Sequence, residues 1–151
     1  MKTPWTLLLL LLLSAPNSWA LELAANARVN IVKAIDISLV SELDFGNISE
    51  LNGTCTMGSS GTLSASDGQD CSGTSTPGVF QVAGTNGQTI IMNVTAGAAV
   101  DGINFTPKID GSNTRTLVDG NANIEIIGHL TLSDTTLGDK NIAYTVTANY
   151  Q

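Results

Sequence analysis

The sequence predicts an all-β fold, an antiparallel sandwich of about seven strands. Three observations lead there. Apolar and polar residues alternate with period 2 through most of the apolar segments. Turn signals built on Gly, Asn, Asp and Pro recur about every 8 to 15 residues. No segment carries a helical period. Of the 151 residues 42% are apolar and 13% charged, enough apolar side chain for a core and unlike a disordered chain.

Residues 1–20 stand apart from that fold. Lys2 supplies a positive start, and residues 7–13 are an unbroken run of Leu. Ser18 and Ala20 are the small residues that signal peptidase reads, so a signal peptide cut after Ala20 is expected. The alternative is a membrane anchor, but the run is far shorter than the roughly 20 residues a spanning helix needs. The remaining residues 21–151 carry 13 acids, 5 bases and no Trp. That balance argues against nucleic acid, which requires clustered Lys and Arg.

From Leu21 the odd positions read Leu21, Leu23, Ala25, Ala27, Val29, Ile31, Lys33, Ile35, Ile37 and Leu39. Only Lys33 interrupts this apolar row. It is longer than the usual strand of about 5–6 residues, so two strands in series are expected, with Lys33 at the join. Residues 43–48 form a short strand candidate. Residues 52–77 are mostly Gly, Ser and Thr and read as turns, with a short strand at 62–64. Residues 79–82 follow Pro77 and Gly78 as a strand. Asn86–Gly87 is a hairpin signal, leading into a strand at 89–95. Residues 103–109 are a weaker strand, interrupted by Pro107. Asp110–Gly111 and Asp119–Gly120 mark further turns. Residues 123–132 alternate through Ile124, Ile126, Gly128, Leu130 and Leu132. The last strand alternates through Ile142, Tyr144, Val146, Ala148 and Tyr150. No linker divides the chain, so residues 33–151 are expected to form one domain, with a core resting on Ile, Val, Leu and Ala.

Export permits a disulfide, and Cys55 and Cys71 are the only cysteines. A bond between them closes a loop worth about 3 kcal/mol in the chain-entropy model. Free or catalytic thiols are the alternative; no CxxC motif or nearby His supports it. His129 is the sole His, and strand parity places it toward solvent. No Gly-x-Ser-x-Gly elbow accompanies it, so no enzyme is expected and no catalytic residue is assigned. The turn at Asp119, Asn121 and Asn123 begins like a calcium loop. It has Ile124 where such a loop needs Gly and Leu130 where it needs Glu. Asp and Gly there suit turn geometry instead. No metal or cofactor is implied. Asn47, Asn52, Asn93 and Asn104 lie in Asn-x-Ser/Thr triplets, common by chance in so Asn- and Thr-rich a chain.

The two ends are the informative parts. Gly138 is the fourteenth residue counted back from Gln151, and Tyr150 is the penultimate. This resembles chaperone–usher pilins, in which a Gly at that place and a penultimate Tyr mark the last strand. Three further stretches resemble the pilin-like family of exported bacterial proteins catalogued as domain of unknown function 4402. They are Leu-Asp-Phe-Gly-Asn-Ile at 43–48, Gly-Val-Phe-Gln-Val-Ala-Gly at 78–84 and Thr-Val-Thr-Ala-Asn-Tyr at 145–150. The likeness covers nearly all of residues 21–151.

The resemblance implies an immunoglobulin-like sandwich lacking its final strand, filled first by a periplasmic chaperone and then by the amino-terminal extension of the next subunit. Residues 21–32 would be that donor strand, with Leu21, Leu23, Ala25, Ala27, Val29 and Ile31 as donor side chains. Gly138, Ile142, Tyr144, Val146, Ala148 and Tyr150 would line the groove or pair with the incoming strand. The implied function is a structural fimbrial subunit, exported to the periplasm and assembled head-to-tail on the cell surface. Its partners would be copies of itself or related subunits, a periplasmic chaperone and an outer-membrane usher. A tip adhesin usually carries a second domain, so a shaft or minor subunit is expected. Two departures stand out. Many such pilins place a cysteine in the first strand, and no Gly or Pro hinge separates the extension from the first strand here. The alternative is therefore an autonomous secreted sandwich that completes its own fold and binds a carbohydrate or surface polymer.

Overall fold

A computed structural model describes residues 25–151. The expected signal peptide, and Leu21 and Leu23 of the expected donor strand, lie outside the described residues. Residues 25–30 are exposed and carry no strand pairing. A compact unit spans Ile31–Gln151.

That unit is an all-β antiparallel sandwich with eleven strands: β1 (Asp36–Ser41), β2 (Asn47–Ile48), β3 (Gly53–Met57), β4 (Leu63–Ser66), β5 (Cys71–Ser72), β6 (Gly78–Ala83), β7 (Thr89–Ala96), β8 (Ile103–Ile109), β9 (Thr114–Thr116), β10 (Asn121–Leu132) and β11 (Tyr144–Tyr150). A single 3-10 turn at Ser59–Gly61 is the only helical piece among the described residues. The four shortest strands, β2, β4, β5 and β9, account for the excess over the expected seven.

The larger sheet is organised by β10. Its first half pairs with β6, from Asn121 opposite Ala83 to Ile126 opposite Gly78. Its second half pairs with β3, from Gly128 opposite Met57 to Leu132 opposite Gly53. On its other edge lies β8, since Ile126 stands opposite both Gly78 and Ile109. β6 and β3 therefore follow one another along one edge of β10. β1 lies outside β6, and β4 outside β3. The second sheet has the order β11-β7-β9. The order β1-β6-β10-β8 facing β7-β11 matches the A-B-E-D and C-F strands of an immunoglobulin-like sandwich.

Between the sheets sit two apolar clusters. One is built on Cys55, Met57, Phe105 and Leu130, the other on Val82, Ile90, Met92, Leu117, Ile124 and Ile126. Ile, Val and Leu dominate, as expected. Met takes the place expected for Ala, because an unbranched side chain fills gaps that few aromatics are left to fill.

Several sequence expectations are corrected. Within the described part of the apolar row, residues 25–39, only the last part forms a strand, β1. β6 offers it only residues 78–83 as a partner, so pairing stops at Asp36. Residues 43–48 give a single bridge, Asp44 to Thr76, and the two-residue β2. Residues 52–77, read as turns apart from a short strand at 62–64, contain β3 and β5 as well as β4, which overlaps the expected strand. Asn86–Gly87 does not make a hairpin: it carries the chain from one sheet to the other. Only Gly87 has positive φ (+76°), as in a type II turn, whereas the two-residue hairpin turn I′ needs positive φ at both central residues. His129 is half-buried rather than exposed, because β10 is an interior strand with Thr56 and Thr106 on either side.

Candidate strand-accepting groove

β11 alternates as the sequence requires. Tyr144, Val146, Ala148 and Tyr150 face inward, while Thr145, Thr147 and Asn149 are exposed. The inward row packs on the second core cluster yet stays half-buried. One edge of β11 pairs with β7 over its full length, from Tyr144 opposite Ala96 to Tyr150 opposite Ile90. Among the described residues no strand pairs with its other edge, nor with the outer edge of β1. An immunoglobulin-like sandwich places its last strand at this edge of β11.

The two open edges run in opposite directions. Tyr150 lies beside Gly84 and Lys33, and Tyr144 beside Gly78 and Leu43. At the Tyr150 end the gap is closed by hydrogen bonds. The Thr85 amide donates to the Tyr150 hydroxyl at 2.8 Å, and that hydroxyl donates to the Lys33 carbonyl at 2.6 Å. The Lys33 amide in turn donates to Thr85 Oγ1 at 2.6 Å.

At the Tyr144 end the space widens into a groove of about 980 Å³. Four of the five aromatics in residues 21–151 line it. Their rings meet edge to face: Phe80 and Tyr144 at 6.0 Å, Tyr144 and Phe105 at 5.6 Å, Phe105 and Phe45 at 5.7 Å. Each such contact contributes about 0.5–1.5 kcal/mol beyond area burial, so the lining holds its shape. Burial, and secondarily the Glu42 carboxylate, raises the Tyr144 phenol above its ordinary pKa. Glu42, Asp44, Glu50 and Asp139 stand around the mouth, with Lys140 the one base among the lining residues.

One wall of the groove is the segment 44–51. Asp44 and Thr76 exchange two backbone hydrogen bonds at 2.8 Å. β2 pairs with β5, setting Ile48 opposite Cys71. Cys71 is bonded to the fully buried Cys55 of β3, with Cα atoms 6.0 Å apart. Gln69 completes the wall: its Oε1 accepts from the Glu50 and Asp70 amides, and its Nε2 donates to the Glu50 and Asn52 carbonyls. Both lone pairs and both N–H donors of that buried side chain are thereby used on backbone.

The other wall is the loop 133–143. The Thr135 amide donates to the Leu51 carbonyl, and Asp134 and Asn52 exchange two hydrogen bonds. Asp101 holds the middle of the loop, accepting from Lys140 Nζ at 2.8 Å and from the Thr136 amide at 3.0 Å. The Lys140 contact first, and the Thr136 hydrogen bonds next, hold the Asp101 carboxyl well below the ordinary carboxylate range. Leu137, at the tip, is 84% exposed.

The expected site residues are thus placed as follows. Cys55 and Cys71 come together. Tyr144, Val146, Ala148 and Tyr150 share one face of β11. Ile142 precedes the strand and packs on the first cluster. Gly138 lies in the loop 133–143 with φ +110°, where a Cβ would meet nothing within 4 Å. Ala25, Ala27 and Val29 are unpaired, and Ile31 is 86% exposed. Gln69 and Asp101 carry no sequence pattern that marks them, and Asn52 stands out only as part of an Asn-x-Thr triplet. Asp119 and Gly120, with φ +51° and +77°, make a tight turn closed by Val118 and Asn121. Among the described residues no three His, Cys, Asp or Glu side chains gather in a way that holds a metal. No protein-family model, curated protein or solved structure matches the chain.

Proposed function

We infer that this chain is a fimbrial subunit, exported to the periplasm and assembled head-to-tail on the cell surface by donor-strand exchange. The observation that carries the reading is the outer edge of β11, unpaired among the described residues and set over an apolar gap that faces β1. The resemblance to pilin-like proteins supports the same reading.

The chemistry required is strand addition. An incoming strand satisfies the free backbone groups along β11, and its alternate side chains fill the gap. Residues 21–31 supply such a strand, with one face of Leu, Ala, Val and Ile. A one-residue slip would turn Glu22, Asn26 and Arg28 into the gap, so register is strongly specified. Until a neighbour arrives the exposed edge invites aggregation, and a periplasmic chaperone would cover it. An outer-membrane usher and further copies of the chain are the remaining partners. A head-to-tail contact of this kind does not close on itself and gives a filament.

The test is a thermal melt of residues 33–151 with and without a synthetic peptide of residues 21–32. The reading expects the melting temperature to rise by about 10 °C when the peptide stands at about 100 times its Kd. A melt indifferent to the peptide would replace this reading with an autonomous secreted binding module.

A further inference from the structure

We propose that the cavity at the Tyr144 end is a binding site for a small hydrophobic organic cation, an alkyl or aromatic body carrying one ammonium or amidinium group. The site is separate from strand addition along β11. Of the inward row of that strand only Tyr144 lines the cavity; Val146, Ala148 and Tyr150 do not.

The first argument is the lining. At about 980 Å³ the cavity stands at the upper end of the roughly 300–1,000 Å³ range of small-ligand pockets. β8 and β10 line it with Ile103, Phe105, Leu130 and Leu132, all buried. Leu39, Leu51 and Leu137 border it and are exposed. A single exposed Leu is ordinary on a surface, but three on one cavity mark a place that takes an apolar body. The polar groups of the walls are already committed. Gln69 spends its amide on backbone, Asp44 and Thr76 bond each other, and so do Asp134 and Asn52. A sugar needs a partner for each hydroxyl it brings out of water, and these walls hold few. An apolar body makes no such demand.

The second argument is charge. Glu42, Asp44, Glu50 and Asp139 border the same cavity. Lys140, the one base among the lining residues, is engaged by Asp101 at 2.8 Å. Glu42 is near enough to the Tyr144 phenol to act with burial, the larger cause, in raising its pKa. A cation placed there meets a carboxylate and an aromatic ring, and both attract it. An anion on the same body meets four carboxylates and is repelled. Lining and charge thus select a hydrophobic cation over its neutral and anionic counterparts.

The experiment titrates the full chain by calorimetry with three probes that share one tail: decyltrimethylammonium, decyl sulfate and decyl maltoside, each below its micellar concentration. The expected result is saturable binding of a single decyltrimethylammonium per chain. Its affinity should exceed that of the other two by about tenfold at low salt, and by less at high salt. No saturable binding, equal affinities or a preference for the sulfate would overturn the inference. Glu42→Gln should weaken decyltrimethylammonium by about threefold to tenfold and leave the maltoside as it was; an unchanged cation affinity would overturn the role given to Glu42. Leu137→Ser should weaken the cation, whereas Val118→Ser, at an exposed turn outside the cavity, should not. An unchanged affinity in Leu137→Ser, or an equal loss in Val118→Ser, would overturn the site. The peptide melt described above keeps the two readings apart. A peptide response without probe binding removes this inference alone, and probe binding without a peptide response removes the strand-accepting reading alone.

Discussion

The Tyr150 hydroxyl donates to the Lys33 carbonyl at 2.6 Å, joining residues 117 positions apart at the two edges of the gap. The same oxygen accepts from the Thr85 amide. One phenol therefore spans both sheets at the end where no strand pairs across. Its inward ring is fixed by the alternation of β11, and its reach brings the hydroxyl to backbone that a shorter side chain would leave to water.

Val146 and Thr147 are neighbours on β11 with opposite roles. Val146→Asp places a carboxylate in the gap and should abolish the peptide-induced rise in melting temperature, while lowering stability by about 1–3 kcal/mol. Thr147→Asp, on the exposed face, should keep the peptide response. Parallel melts of the two variants check this, and equal peptide responses would sink the assignment of faces.

Gly128 is opposed by Pro107 in β8, and its φ is +151°. A Cβ there would overlap the Thr106 carbonyl oxygen. Gly128→Ala should cost about 2–4 kcal/mol through strain and overlap together. Urea denaturation measures it; a loss under about 0.5 kcal/mol, the scale of an ordinary surface change, would show that β8 can move aside.

Gln69→Leu removes four hydrogen bonds and leaves the Glu50 and Asp70 amides and the Glu50 and Asn52 carbonyls without that partner. A loss of about 2–4 kcal/mol is expected, together with a weaker response to the 21–32 peptide because the wall at 44–51 loosens. Isothermal titration of the peptide separates the two effects.

Asp101 gives a pH dependence with a defined sign. Its carboxyl is held below its unfolded value by Lys140 and Thr136. The stability it contributes is therefore fully present above about pH 4, where the unfolded carboxyl is ionised, and is lost as the pH falls below that value. Asp101→Asn should flatten this acid-side decline and loosen the loop 133–143. Urea midpoints of both proteins between pH 2 and pH 6 provide the check (roughly the span over which a carboxyl titrates).

What the sequence made legible was governed by local pattern. Ile124, Ile126, Leu130 and Leu132 alternate in β10 and are buried as alternation requires, and the same holds for Tyr144, Val146, Ala148 and Tyr150 at the half-buried level. What it hid depended on distant partners. β3 is a strand because it pairs along the edge of β10 and buries Cys55 and Met57 in the core, not because Gly-Thr-Cys-Thr-Met has strand character. Asn86–Gly87 has a hairpin sequence, yet β6 and β7 find stronger partners in different sheets. The row from Leu21 to Leu39 showed the alternation of a long strand, but β6 is only six residues long and set where β1 begins. Asp101 and Lys140 are 39 positions apart in sequence, and nothing local announced their pairing.

The bond between Cys55 and Cys71 also sets how far the domain can be drawn out under tension. Pulled from its two ends, the chain cannot release the stretch between these cysteines, which are separated by 16 positions in sequence. At about 3.3–3.6 Å per residue, less the span already bridged, the oxidised domain extends about 50 Å less than the reduced one. In the filament proposed above, each copy would thus carry a fixed limit on its give, placed in the same wall that shapes its groove.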